Sequence, residues 1–451
     1  MQDPIASHLD GRKLTLTECA NFTEEQLTNH PHVHSTPAVT DQGCQRCGNA
    51  DPTLFGLTTL RNSDQAAIYC RKCIQMGRIT STEKLFTWTG PSPVTEPGNH
   101  TLTWNGTLSN AQQPASTKIV ETMQQNDSLL VWAVCGAGKT ELLFEAIHQA
   151  LQHGKRVCLT TPRTDVILEL APRLKEVFPN TPIAVLYGGT EDRDMWAPLV
   201  LATTHQLLRY HQAFDFMIVD EVDAFPYTMD ESLQRAVENA RKKSSAIAWL
   251  SATPSAKWKR ECQKGTRNHV LIPARYHGHP IPVPTFTWIG RWQNTFQKSK
   301  IPRPLIKWIK KRIDTNTPML LFFPSITTLE QALPLIQKRF PIPIQGVHSQ
   351  DPTRKEKVAD LRTNDTQLLL TTTILERGVT IPRVDVAVIG AESPIFTEAA
   401  LVQIAGRVGR KADHPTGECR LFHFGKSIAM VQAKQHIEKM NALAKERGLL
   451  K

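Results

Sequence analysis

The feature that most constrains this chain is a short apolar run that breaks into a glycine-rich turn and then into a helical pattern. Leu129-Leu130-Val131-Trp132 has the unbroken hydrophobicity of a strand buried on both faces. It passes into Ala133-Val134-Cys135-Gly136-Ala137-Gly138-Lys139-Thr140, and residues 141–151 follow with helical spacing. The octapeptide fits the pattern G-x-x-x-x-G-K-[ST], except that Ala133 stands in place of the first glycine. Strand, tight turn and helix in that order make a cradle of backbone N–H groups at a helix N-terminus, which binds phosphate oxygens. Gly136 and Gly138 belong to that cradle. Lys139 supplies a point charge for the β- and γ-phosphates, and Thr140 can ligate Mg²⁺.

Further apolar runs alternate with longer helical patterns. Residues 157–159, 216–219 and 246–250 continue the strand series. A Pro-rich stretch at 273–284 interrupts it, and it restarts at 319–323, 367–370 and 385–389. The alternation predicts an α/β chain with two doubly wound parallel sheets, over 96–275 and 285–451. The run at 216–219 ends in Asp220-Glu221-Val222-Asp223. Asp220 is placed to hold Mg²⁺, directly or through water, and Glu221 to polarise an attacking water as general base. Alone, acids after an apolar run also describe a strand meeting a solvated turn. Downstream of a phosphate loop they read as the second half of an ATP site.

The motifs then become specific. Asp220-Glu221-Val222-Asp223 resembles the DExD box of superfamily-2 helicases, and Ser251-Ala252-Thr253-Pro254 their motif III. Thr371-Thr372-Thr373-Ile374-Leu375-Glu376-Arg377-Gly378-Val379-Thr380 resembles motif V, and Gln403-Ile404-Ala405-Gly406-Arg407-Val408-Gly409-Arg410 motif VI. Their order matches that superfamily from about Leu102 onward. The resemblance implies two tandem RecA-like domains with ATP between them, closing on binding and reopening on hydrolysis. It places Gly378 and Gln403 among the nucleotide-binding residues and makes Arg407 and Arg410 arginine fingers. Their planar, fixed charge suits a transferring phosphoryl group.

Residues 102–112 resemble a Q motif. The Gln112 amide offers donor and acceptor to an adenine edge, with Gln113 as rival and a plain polar loop as the competing reading. Residues 161–166 and 203–206 resemble motifs Ia and Ic. Arg163, Thr204 and, in the second half, Thr372 are expected on nucleic-acid phosphates, although strand ends and helix caps also employ threonine. Backbone contacts predict little sequence specificity and strong salt dependence.

Cys44-Gln45-Arg46-Cys47 and Cys70-Arg71-Lys72-Cys73 are separated by 22 residues, slightly beyond the usual zinc-ribbon gap. Each turn presents two thiolates to one tetrahedral Zn²⁺, and four protein ligands leave no open position, so the metal is expected to be structural. A redox dithiol is the lesser alternative. Arg46, Arg71, Lys72 and Arg78 either grip DNA or offset the negative centre. Lys and Arg number 53 against 42 Asp and Glu, a net charge of +11 that favours anionic partners, nucleic acid or acidic lipid. The first forty residues reverse that balance and show little periodicity. They read as a mobile arm over 1–40, ahead of a cysteine module over 41–95 whose Pro/Gly/Thr-rich end, 89–98, reads as a linker.

No run approaches the length that spans a bilayer, and the start lacks the basic and apolar segments of a signal peptide, which predicts a cytoplasmic protein. A Cys₄ module ahead of a superfamily-2 core resembles the ComFA late-competence family. The likeness extends through Pro273-Ala274-Arg275-Tyr276-His277-Gly278-His279-Pro280 and Leu375-Glu376-Arg377-Gly378-Val379-Thr380. That resemblance implies a cytosolic ATPase, peripheral at the inner face of the membrane. It would help draw transforming single-stranded DNA through the channel ComEC, with ComFC and DprA as partners. Only a basic helical tail, 426–451, follows motif VI, which favours translocation over processive unwinding. Two alternatives stand beside it. One is a PriA-like replication-restart helicase, a family that carries its cysteines inside the motor. The other is a zinc nucleic-acid adaptor that uses ATP as a switch.

Overall fold

The computed structural model describes residues 3–59, 65–92, 100–377 and 381–451. Seven short strands open the chain: β1 (Lys13–Thr15), β2 (Val33–Pro37), β3 (Val39–Thr40), β4 (Gly43–Cys44), β5 (Phe55–Thr59), β6 (Ala66–Cys70) and β7 (Lys84–Trp88). β7 lies between β1 and β2 and pairs antiparallel with both. Segments before and after the cysteine turns therefore share one sheet, and the mobile arm expected over 1–40 is corrected: its described residues, 3–40, are an ordered part of the module. Leu9, Leu14, Leu27 and Phe86 bury one another there. Two acids of this segment, Asp10 and Glu18, have buried partners. Asp10 accepts from Trp196 Nε1 at 3.0 Å, and its carbonyl accepts from Arg156 at 3.1 Å. Glu18 pairs with Arg46 at 3.1 Å and Arg209 at 2.6 Å. Burial pushes the Glu18 carboxyl up, yet Arg46 and Arg209 hold it below its ordinary value. Elements this short leave no periodicity to read. Most of the expected linker over 89–98, residues 93–98, lies outside the described residues.

The first large sheet contains β8 (Ser128–Ala133), β9 (Val157–Thr161), β10 (Ile183–Leu186), β11 (Leu199–Thr203), β12 (Phe214–Val219), β13 (Arg241–Ser251) and β14 (His269–Ile272). All pairings are parallel, in the order β10-β11-β9-β12-β13-β8-β14. Strands buried on both faces explain the continuous apolar runs. Leu159, Phe216 and Ile218 face one core. Cys158, Met217 and Val219 face a second core, which also takes in Cys44, Cys47, Cys70 and Cys73. The cysteine module is thus packed onto one face of this sheet.

The second sheet contains β15 (Thr285–Trp288), β16 (Met319–Phe322), β17 (Ile344–Val347), β18 (Leu368–Thr371), β19 (Asp385–Ile389) and β20 (Cys419–His423). It is also parallel throughout, in the order β15-β20-β19-β16-β18-β17. Two doubly wound parallel sheets are the fold that the apolar runs predict. The helix Ile428–Glu446 joins the halves: Asn441 exchanges hydrogen bonds with the Ile281 backbone at 2.9 and 2.8 Å, and the His436 ring packs on Trp132. In parallel sheets the strand ends that bind ligands lie along one edge. Here β8 and β12 bring their carboxyl ends to that edge on either side of β13.

Candidate functional site

β8 ends at Ala133, and the chain turns through Gly136 and Gly138, with φ of +81° and +73°. A Cβ on Gly138 would also stand 2.3 Å from Gln112 Nε2, so this position excludes any side chain. Gln112 is buried against the loop. Its Nε2 donates to the carbonyls of Ala137 at 2.9 Å and Gly138 at 3.3 Å, and its Oε1 accepts from the Ser109 N–H at 2.9 Å. The rival Gln113 is exposed and lies off the cavity.

The carboxylates follow β12. Asp220 Oδ1 accepts from the Glu221 N–H at 2.8 Å, and Glu221 has a φ of +55°. Asp223 accepts from Ser251 Oγ at 2.9 Å and Thr253 Oγ1 at 2.7 Å, which joins the DExD-type and Ser-Ala-Thr segments directly. Its third donor comes from the other half: Arg377 Nη2 at 2.6 Å. Arg377 Nη1 also stands 3.7 Å from Glu221 Oε2. Burial pushes the Asp223 carboxyl up, but the Arg377 guanidinium outweighs it and holds the group well below the carboxylate range. For Glu221 burial wins, and its carboxyl is raised despite Arg377. The sequence reading assigned no role to Arg377; only its place inside motif V marked it.

A cavity of about 510 Å³ lies where the halves meet. The first half lines it with Gln112, Gly136, Gly138, Lys139, Thr140, Asp220 and Glu221, and the second with Gln403, Arg407, Arg410 and Arg377. The volume is that of a small-molecule site. Gly378, also expected here, lies outside the described residues. The halves touch at the phosphate loop. Cys135 Sγ donates to Gln403 Oε1 at 3.1 Å, and a Cβ on Gly406 would fall 2.4 Å from Cys135 Cβ. Arg407 donates Nε to the Glu376 carbonyl at 3.1 Å. Burial, helped by Arg410, holds Arg407 down to about 9, still charged at neutral pH. Among the described residues, Glu221 Oε2, Arg377 Nη1 and Arg407 Nη1 are buried without a hydrogen-bond partner. Orphaned charged atoms around a cavity lined by a phosphate loop fit a nucleotide and its attacking water.

The expected nucleic-acid contacts divide. Arg163 reaches across the cleft, donating Nη2 to the Ile374 carbonyl at 2.8 Å with Glu376 at 4.0 Å. Beside it Arg354 of the second half pairs with Asp165 of the first. Thr204 is fully buried, so its hydroxyl does not reach a phosphate in this conformation. Thr204 is the first residue of the buried turn Thr204–Arg209. Thr372 is half-buried at the end of β18.

The four cysteines meet as the spacing predicts. Cys44 and Cys47 flank the turn after β4, and Cys70 and Cys73 the turn after β6. All four Sγ atoms lie within 4.8 Å of one another, with Cys44–Cys73 at 3.7 Å and Cys47–Cys70 at 3.6 Å. A Zn–S bond of about 2.3 Å implies tetrahedral S–S edges of about 3.8 Å, so the donor set fits Zn²⁺. It is the one such cluster among the described residues. Arg46 is not free to grip DNA: it is buried between Glu18 and the Gly77 carbonyl, 2.9 Å away. Elemental analysis is expected to find about one zinc per chain, lost in the Cys44→Ala/Cys47→Ala double variant. Purified chain with no zinc would refute the assignment.

Comparison with known proteins decides the family. The family model for the competence protein ComFA N-terminal domain matches residues 1–87. Those for the DEAD/DEAH box helicase and the helicase conserved C-terminal domain match 112–261 and 301–412. Competence protein ComFA of Bacillus subtilis is 48% identical over 401 residues, covering 89% of this chain and 86% of that one. The chain belongs to the ComFA family. Competence protein ComFA of Streptococcus pneumoniae is 37% identical, covering 95% of this chain and 98% of its own. Among solved structures, S. cerevisiae Dbp5 bound to RNA and ADP BeF3 superposes with a TM-score of 0.53 at 15% identity, over 76% of this chain and 98% of that one. That likeness supports two RecA-like domains. This ComFA-family chain is therefore a competence-associated superfamily-2 helicase ATPase, with a four-cysteine cluster that suggests a metal site. No helix of the described residues is long and apolar enough to cross a membrane.

Proposed function

We propose that the chain is a DNA-stimulated ATPase that translocates single-stranded DNA during uptake of transforming DNA. The observation that carries the motor reading is the divided site. Phosphate loop and carboxylates stand on one half, and Arg377, Arg407 and Arg410 on the other, around one cavity. In this reading Lys139 and Thr140 hold the phosphates and Mg²⁺ with Asp220, and Glu221 takes the proton of the attacking water. Arg407 and Arg410 stabilise charge on the phosphoryl group. ATP then favours closure and hydrolysis favours opening.

Arg163 supports the coupling to DNA. It spans from motif Ia to motif V across the same cleft, so a phosphate that competes for Arg163 changes the contacts of Glu376, next to Arg377. ComFA membership supports single-stranded DNA as the track, ComEC, ComFC and DprA as partners, and a place at the inner face of the membrane. The proposed units are 1–95, 96–275 and 285–451.

ATP turnover with single-stranded DNA, duplex DNA and RNA at controlled salt tests this. Single-stranded DNA is expected to raise turnover most. Its affinity should fall with salt at a slope of about −0.7 per contacted phosphate. Turnover indifferent to DNA would sink the motor reading and favour the ATP-switched adaptor. Equal stimulation by RNA would remove the DNA assignment.

A further inference from the structure

We infer that the purine base is held by stacking on Tyr276, from the segment between the halves, and that Gln112 serves the phosphate loop rather than the adenine edge. The inference rests on the ATPase reading and deepens it.

Reading adenine bidentately requires a free amide donor and a free acceptor. The Gln112 amide nitrogen is already engaged by the loop carbonyls of Ala137 and Gly138, and its oxygen takes the Ser109 N–H. Moving the amide would abandon those loop carbonyls and the buried position of Gln112.

The cavity has two aromatic walls among the described residues, Trp104 and Tyr276. The Trp104 ring is the more buried of the two, half-covered by its own surroundings. Its edge-to-face partner is Phe144, with centroids 5.5 Å apart, and Gly106 lies so close that a Cβ there would come within 2.4 Å of the indole. Tyr276 remains 46% exposed while lining the cavity. Its backbone is nonetheless fixed. The Tyr276 N–H donates to the Gly136 carbonyl at 3.0 Å. The preceding Arg275 is buried against Gly136 and donates to the carbonyls of Gly409 at 2.6 Å and Gly406 at 3.4 Å. The next ring, His277, meets Tyr276 edge-on and is held down to about 4 by burial and Arg275, so it is neutral at physiological pH.

An exposed aromatic ring anchored to the phosphate loop is a base platform, because every purine has a π-face to lay on it. Stacking does not read exocyclic groups. A site built this way discriminates weakly between ATP and other purine triphosphates. A site that hydrogen-bonds the base edge rejects the wrong partner by about 10⁴-fold or more.

The test uses the full chain. Wild-type kcat/KM is expected to fall within about tenfold for ATP, GTP and ITP. Tyr276→Leu keeps bulk and loses the ring. It is expected to raise the KM for ATP and the Kd of AMP-PNP by about tenfold or more, with a smaller change in kcat, and Tyr276→Trp to restore both. An unchanged KM and Kd in Tyr276→Leu would overturn the inference. So would a wild-type preference for ATP over GTP of about 10³ or more. A wild-type chain that hydrolyses no triphosphate would instead remove the ATPase reading, and this inference with it.

Discussion

Glu221→Gln is expected to arrest hydrolysis while leaving ATP bound. The substitution keeps the shape of the side chain and removes its ability to take a proton. General-base contributions of this kind are worth about 10²- to 10⁴-fold in kcat. Glu221 lines the cavity, and its Oε2 faces Arg377 Nη1 at 3.7 Å without a hydrogen bond among the described residues, so an attacking water is a natural complement. The phosphate loop and Asp220 are untouched, and the Kd for AMP-PNP should change little. A Glu221→Gln chain that turns over at the wild-type rate would place the base elsewhere.

The same residue sets a pH dependence. Burial raises the Glu221 carboxyl above its ordinary value, with Arg377 opposing part of the shift. A base works only when deprotonated, so kcat falls as pH falls through this raised pKa. The acid limb of the kcat profile should therefore lie above the ordinary glutamate value of about 4.3.

Much of this site was legible because its parts are local. Strand, loop and helix around Gly136–Thr140 are contiguous, and their backbone geometry follows from residue type and spacing. The two C-x-x-C turns are equally local, and one long gap did not obscure them. What the sequence hid was pairing at a distance. Glu18 read as one acid of a solvated arm, yet its partners Arg46 and Arg209 make it a buried junction between module and sheet. Arg46 read as a basic residue beside thiolates, because its own carboxylate lies on a different strand system. Gln112 lines the cavity between the halves, but the carbonyls it serves become visible only when the loop is folded. Arg163 and Thr204 were judged by residue type, whereas one is engaged across the cleft and the other is buried at the start of a turn. Arg377 was quoted within a motif without a role, since the carboxylates that give it one belong to the other half.

Arg377→Ala is expected to disconnect the halves. The side chain is nearly inaccessible and brings one guanidinium to Asp223, Glu221 and Glu376. Its charge is favoured by those carboxylates beyond its burial cost, and Asp223 is depressed in turn. Removing it takes from the buried acids their main cation, with Lys139 and Arg163 left to oppose them, a change that typically costs about 3–5 kcal/mol. The molecule has an escape that a closed core lacks: opening the cleft lets water reach the carboxylates. The penalty should therefore appear as loss of the closed state more than loss of folding. Near-wild-type melting of each half is expected, with an increased radius of gyration in the presence of AMP-PNP. The kcat should fall by about 10²-fold or more, as for other lost charge-stabilising groups. Arg377→Lys keeps the charge but not the planar fork, and should recover only part of the activity. A double-mutant cycle with Asp223→Asn separates this from general damage. If the ion pair couples the halves, the double variant loses much less than the two single losses combined. Additive losses would mean that Arg377 and Asp223 act independently, and that closure is governed by the contact of Cys135 with Gln403 and Gly406 instead.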